Sequence, residues 1–300
     1  MDHEDEGILK LSDGRRLGYR AVGPPEGLPL FYFHGFPGAR TEADLLCSED
    51  DCPGWRVFAL DRPGIGLSDF SPGRTLRDWP KDVEEFANAM GITRFSVVGV
   101  SGGGPYAAVC AWALPLRVRA AGIVCGLGPV DDHEGTLGMR TLNRKTLHVL
   151  RRLPGLTRPA FGSMAFFLKH FPLSLIDADL HSLPPRDQAA VKKPEVRRAL
   201  ESSFRESVRQ GTAGGAHELK IYCQPWGFSP EAIRVPVLLW HGDRDTLAPS
   251  AMGRSLAKLI PGCRACFFPD EGHYSLLTGP RKSEILSTLL QASVTGVNPP

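Results

Sequence analysis

Short apolar runs punctuate the chain at intervals: Pro29–Phe33, Val57–Leu60, Phe95–Val100, Ala120–Cys125, Val235–Trp240 and Ala265–Phe268. Each is nearly continuous in its hydrophobicity and rich in β-forming residues, which is how strands buried on both faces read. Between several of them the apolar spacing changes to that of a helix. In Trp79–Met90, the residues Val83, Phe86, Ala87 and Met90 fall on one helical face, and Gly91 ends the segment. Ahead of these runs, two segments between Leu9 and Val22 flank Asp13-Gly14, a hairpin signal. The alternation predicts an α/β fold: a doubly wound, mostly parallel eight-stranded sheet opened by an antiparallel hairpin.

The rhythm stops after Cys125. From about Gly126 to Ser229 no segment reads as a strand, and helix-like patches occur near Leu142–Leu153, Phe161–Phe171 and Pro194–Gln210. Strand-like spacing resumes at Val235. The pattern predicts a core in two parts, residues 1–126 and 232–300, interrupted by an inserted helical cap over residues 127–231. Gly296–Pro300 is expected to fray.

Composition narrows the partners. The net charge of +2, with no dense Lys/Arg cluster, argues against a nucleic-acid footprint. No apolar run is long enough to span a membrane, and Met1–Glu6 lacks the basic and apolar regions of a signal peptide. A cytoplasmic protein without nucleic-acid or membrane partners is expected; the oligomeric state is left open. The seven cysteines are scattered and predict no disulfide. Cys110 and Cys125 lie in apolar runs and read as core residues. Cys263-x-x-Cys266 lacks the second pair a zinc site needs, and on a strand its two thiols would face opposite ways.

Chemistry enters at "VVGVSGGGPY", residues 97–106. Gly99-Val100-Ser101-Gly102-Gly103 fits G-x-S-x-G, after a strand and before a helix marked by Pro105. Such a turn exposes a nucleophilic hydroxyl at the carboxyl edge of a sheet, and its glycines avoid clashes with the neighbouring elements. A glycine-rich turn cradling a phosphate is the plainer alternative. A serine nucleophile needs a base, and the base an orienting acid. Of nine histidines, His273 follows the last strand, in Pro-Asp-Glu-Gly-His-Tyr. His241, Asp243 and Asp245 follow the strand before it, on the same edge as Ser101.

The sequence resembles the α/β-hydrolase fold superfamily, in its serine-nucleophile branch with a helical lid. The resemblance rests on "FHGFPGAR", "LDRPGIGLSD", "GVSGGGPY", "LWHGDRDTLAP" and "DEGHY", in order, and covers nearly the whole chain outside the lid. It implies that Ser101 is the nucleophile, His273 the base and Asp245, the second aspartate of G-x-x-D, the orienting acid. Asp243 is the rival within the loop. Asp131, after an earlier strand, is a weak one. The resemblance further implies an oxyanion hole from the backbone amides of Phe36 and Gly102, with structural roles for His34 and His241. Asp61–Ser68 reads as a buried turn anchored by Arg–Asp contacts. The aromatics Phe161, Phe166, Phe167 and Phe171 read as lid packing. Trp226, Phe228 and Tyr274 are candidate substrate contacts, and Met139 and Met164 weaker ones.

Relatives that open epoxides carry aspartate where this chain has Ser101, so the resemblance implies acyl transfer on a small to medium ester, despite the epoxide-hydrolase-like Phe-Pro pair. Carbon–carbon hydrolysis of the meta-cleavage type, cofactor-free haloperoxidase or perhydrolase activity, and a small-molecule receptor retaining the triad are the alternatives. No metal or organic cofactor is expected. A histidine base is expected to titrate at about 6 to 7, its acid partner and burial acting in opposite directions.

Overall fold

A computed structural model describes residues 5–47, 52, 54–129, 136–170 and 182–296. Phe171, Asp131 and the two chain ends, Met1–Glu4 and Val297–Pro300, lie outside the described residues. Eight strands form one sheet: β1 (Asp5–Lys10), β2 (Arg16–Val22), β3 (Leu28–Phe33), β4 (Trp55–Leu60), β5 (Phe95–Val100), β6 (Val118–Val124), β7 (Val237–Gly242) and β8 (Arg264–Phe268). Their spatial order is β1-β2-β4-β3-β5-β6-β7-β8. The β1–β2 and β2–β4 pairs are antiparallel and all others parallel. The hairpin closes at Gly14, whose φ of +88° suits a residue without Cβ.

β5 and β7 are buried at every position, which explains their unbroken apolar character. Helices cover both faces. On one lie α2 (Trp79–Ala89), α3 (Gly104–Ala113) and α9 (Ser250–Leu259). On the other lie the short α1 (Ala43–Leu46) and α10 (Ser275–Thr278), with the C-terminal α11 (Arg281–Thr295). In α2, Trp79, Val83, Phe86 and Ala87 are buried, and Phe86 meets Phe31 of β3 edge-on at 5.5 Å.

Between β6 and β7 the described residues contain no strand. They form α4 (Thr141–Arg152), α5 (Thr157–His170), α6 (Pro185–Val191), α7 (Pro194–Ser207) and α8 (Ala213–Tyr222). Among the described residues no helix is long and apolar enough to cross a membrane.

The cysteines bring one correction. Cys47 and Cys52 are joined as a disulfide, their Cα atoms 5.2 Å apart, where no bridge was expected. α1 ends at Leu46 and β4 begins at Trp55, and the bridge ties the two cysteines that lie between them. Cys110 and Cys125 are buried free thiols. Cys263, just before β8, and Cys266, on it, are partly buried against the cores on opposite sides of the sheet.

Candidate active site

β5 ends at Val100, a single 3-10 turn spans Ser101–Gly103, and α3 follows. Ser101 has φ +54°, a left-handed conformation that costs a non-glycine residue about 1 kcal/mol or more. The surrounding glycines make that turn possible. A Cβ at Gly99 would overlap the Gly103 carbonyl, and one at Gly103 the Phe33 carbonyl. Ser101 lines a cavity with Gly35, Phe36, Glu42, His273 and Tyr274, walled by apolar side chains including Leu45, Leu200 and Phe204.

His273 Nδ1 donates to Asp245 Oδ2 at 2.6 Å. Nε2 is then the lone-pair nitrogen of the neutral ring. Asp245 Oδ1 accepts the amides of Leu247 and Ala248, both at 2.9 Å, so the carboxylate is fixed by its own loop. Burial pushes the Asp245 carboxyl up, but His273 and His241 outweigh it and hold it well below the usual carboxylate range. Burial also pushes His273 down, but Asp245, with Asp187 and Glu42 behind it, outweighs that, and the ring is raised above its ordinary value. Asp243 points elsewhere, to Arg254 Nη2 at 2.6 Å.

The peptides of the two candidate oxyanion donors are held from behind. The Gly35 carbonyl, trans to the Phe36 N–H, accepts from Arg62 Nη2 and His34 Nδ1, each at 2.9 Å. The Ser101 carbonyl, trans to the Gly102 N–H, accepts from Leu127 N at 2.9 Å. In a planar peptide, donors on the carbonyl side orient and polarise the opposing N–H. His34 is fully buried; burial and then Arg62 push its ring well below its ordinary value, which suits a structural neutral imidazole. His241 Nε2 contacts the Ala248 carbonyl at 2.7 Å. Cys125, His241 and Asp245 bring possible ligand atoms within 4.8 Å of one another. Oδ2 and Oδ1 of Asp245 and Nε2 of His241 are already engaged in the contacts above, so the cluster reads as packing around the acid loop.

Sequence reasoning missed three carboxylates. Asp187, on α6, accepts the amides of His273, Tyr274 and Ser275 at 2.7, 3.0 and 2.8 Å. A Cβ at Gly272 would collide with that carboxylate, which explains the glycine before His273. Asp187→Ala is expected to destabilise the protein by about 2–4 kcal/mol in urea melts, because three buried amides lose their acceptor. A loss under about 0.5 kcal/mol would contradict this reading.

Glu218, on α8, is fully buried between Arg62 and Arg74. Arg62 Nε donates to its Oε2 at 2.7 Å, Tyr106 OH to its Oε1 at 2.6 Å, and Arg74 Nη2 also contacts Oε1. Tyr222 OH shares one proton between Glu218 Oε2, at 2.8 Å, and the Gly102 carbonyl, at 3.0 Å. Burial would raise the Glu218 carboxyl, but the two guanidiniums hold it well below the usual range. Asp61, by contrast, bonds Arg40 rather than Arg62, through both its backbone N and Nη1, at 2.7 and 2.8 Å. The expected Arg–Asp anchor is therefore present, and a second, Arg–Glu anchor lies beside it. Glu218→Gln is expected to cost about 3–5 kcal/mol of stability, since it leaves two buried cations short of a partner. Denaturant unfolding at neutral pH measures it, and a near-neutral effect would contradict the pairing. The third carboxylate is Glu42, in the 3-10 turn before α1.

The candidate substrate contacts separate. Tyr274 lines the Ser101 cavity. Trp226 and Phe228 do not. They line a surface cleft with Pro129 and Leu259, and Phe228 stacks between Trp226, at 5.6 Å, and Trp112, at 5.3 Å. Apolar packing against α3 draws them away from the cavity. Phe161 is buried against Phe36 at 5.6 Å, whereas Phe166 and Phe167 are exposed. Met139 is buried and Met164 packs beside Phe161; neither lines the Ser101 cavity.

The model of the alpha/beta hydrolase fold family matches residues 29–280, and the chain belongs to that family. Among similar proteins, the non-heme chloroperoxidase of Streptomyces lividans is 35% identical over 126 residues, covering 41% of this chain and 46% of that protein. A proline iminopeptidase of Xylella fastidiosa is 34% identical over 116 residues, covering 37% and 36%. The matched stretch thus spans less than half the length of either relative. The fold is shared with a thermophilic esterase from Thermogutta terrifontis, at a TM-score of 0.68 and 20% identity over 96% of this chain and 99% of that one.

Proposed function

We propose that this chain is a serine hydrolase that cleaves small to medium carboxylic esters through an acyl-enzyme. Ser101 Oγ attacks the ester carbonyl and passes its proton to His273 Nε2, while Asp245 holds Nδ1–H and stabilises the imidazolium. The amides of Phe36 and Gly102 receive the oxyanion, each donor lowering the barrier by roughly 3 kcal/mol. The alcohol leaves with the proton from His273, and water then enters by the same route to free the acid. Residues 127–231 act as a cap over the reacting centre. The observation that carries this reading is the 2.6 Å Asp245–His273 bond beside a left-handed Ser101 on one cavity.

The test is a short-chain p-nitrophenyl ester. A burst of one equivalent of p-nitrophenol per chain, followed by turnover, is expected; release at the buffer rate rejects the proposal. The pH profile carries a second expectation. The base must be neutral, and its folded-state pKa is raised, so kcat/KM should climb with pH through one ionisation above 6.5 and then level off. The direction follows from Asp245 first, with Asp187 and Glu42 adding to it, outweighing burial. An added chelator should leave the profile unchanged. A flat profile where chemistry limits the rate, or loss of activity to chelator, would contradict it.

The Streptomyces lividans relative named a chloroperoxidase favours a second reaction of the same acyl-enzyme. Hydrogen peroxide in place of water would give a peracid and regenerate Ser101. Peracid formation from acetate and peroxide tests it.

A further inference from the structure

Glu42 stands at the end of the 3-10 turn Arg40–Glu42, directly before α1, and is only 5% exposed. Its Oε1 accepts from Tyr32 OH and from Gly35 N, both at 2.7 Å. Among the described residues, none donates to Oε2 and no basic side chain pairs with the carboxylate. Glu42 nevertheless lines the cavity that holds Ser101 and His273, whose walls are mostly apolar, with Tyr274 and Thr278 as further polar members. It is close to the serine. The Cβ position of Gly35 lies 3.3 Å from both Glu42 oxygens and 3.4 Å from Ser101 Cβ, so a methyl-sized point touches both groups.

A buried carboxyl with one oxygen unmet in an apolar cavity is costly unless a ligand completes it. We propose that Glu42 Oε2 is the polar anchor of this cavity and selects substrates whose acyl group carries a hydrogen-bond donor, a hydroxyl or an ammonium, on the carbon next to the scissile carbonyl. The side of the reaction follows from position. Glu42 holds Gly35 N, one residue before the Phe36 amide proposed to receive the carbonyl oxygen, so the proposal puts the donor on the acyl side; its charge also reaches His273, from which the departing alcohol takes its proton. Burial raises the Glu42 carboxyl above its ordinary range, against the bonds from Tyr32 and Gly35. With Oε1 held by two donors, a proton on the carboxyl would sit on Oε2, so it is the ionised form that accepts from the substrate's hydroxyl or ammonium. This inference rests on the ester hydrolase reading for its reaction but not for its binding partner.

The test uses three p-nitrophenyl esters of equal bulk: 2-hydroxypropanoate, 2-aminopropanoate and 2-methylpropanoate. Their binding to the Ser101→Ala protein is measured by calorimetry, so that turnover plays no part. At least one donor-bearing ester is expected to bind tenfold or more tightly than the 2-methyl ester, the hydroxyl and ammonium arms showing which donor the site prefers. Glu42→Gln in that background keeps an acceptor for Tyr32 and Gly35 but presents an N–H₂ to the cavity, and should reduce the difference to within about twofold. Differences within twofold before and after the change overturn the proposal. So does a preference that survives Glu42→Gln. Hydrolysis of the 2-methyl ester by the wild-type protein reports separately on the ester hydrolase reading, so either idea can fail alone.

Discussion

Ser101→Ala is expected to reduce ester hydrolysis by a factor on the order of 10⁴ or more, with unfolding by urea unchanged or slightly improved. The loss follows from removing the only group proposed to bond the acyl carbon. The unchanged fold follows from the backbone. Ser101 occupies a left-handed turn whose carbonyl is bonded by Leu127 N, and this backbone bond does not involve its hydroxyl. Steady-state kinetics on a p-nitrophenyl ester measures it. A variant that keeps a tenth of the wild-type kcat would remove the serine from the mechanism.

Asp245→Asn is expected to lower kcat by roughly 10³–10⁴. The asparagine amide would meet His273 Nδ1 with its own N–H, favouring the tautomer that places the proton on Nε2, where the serine proton must go. The neighbouring Asp243→Asn serves as the control. Asp243 bonds Arg254, whose side chain is half exposed, and losing such a pair costs about 0–1 kcal/mol of stability. Its kcat should stay within about threefold of wild type, the loss in transition-state stabilisation being under 1 kcal/mol. Equal losses in the two variants at matched stability, or a larger loss at Asp243, would reverse the assignment.

The sheet was legible in the sequence because strands buried on both faces leave unbroken apolar runs, and these fell where β3 to β8 lie. Ser101, Asp245 and His273 were legible for a related reason: each follows such a run, so the topology had to bring their loops to one edge. The three carboxylates were not. Asp187 and Glu218 come from helices, where a lone acid reads as a solvated face, and only the fold shows three amides converging on one and two arginines on the other. Glu42 stands in the "GARTEAD" stretch after the oxyanion loop, where nothing in the pattern distinguishes it from Asp44, whose side chain is 38% exposed. Trp226 and Phe228 lie elsewhere than the Ser101 cavity. An aromatic pair near a chain re-entry suits more than one wall, and packing against Trp112 sets this pair in a surface cleft away from the Ser101 cavity. The Cys47–Cys52 bridge escaped because cysteine spacing alone does not say which two of seven scattered thiols come within bonding distance.

The central claim is that Ser101 forms a covalent intermediate assisted by His273. Its most direct measurement is the intact mass of the protein after incubation with diethyl p-nitrophenyl phosphate, followed by peptide mapping. Attack by Ser101 Oγ expels p-nitrophenolate and leaves one diethylphosphoryl group on the serine, with the serine proton taken up by His273. The expected result is a single adduct per chain on Ser101, formed at the same time as one equivalent of p-nitrophenolate, and absent from Ser101→Ala. No adduct under conditions where the wild-type protein hydrolyses esters, or an adduct on any other residue with Ser101 unmodified, would contradict the account.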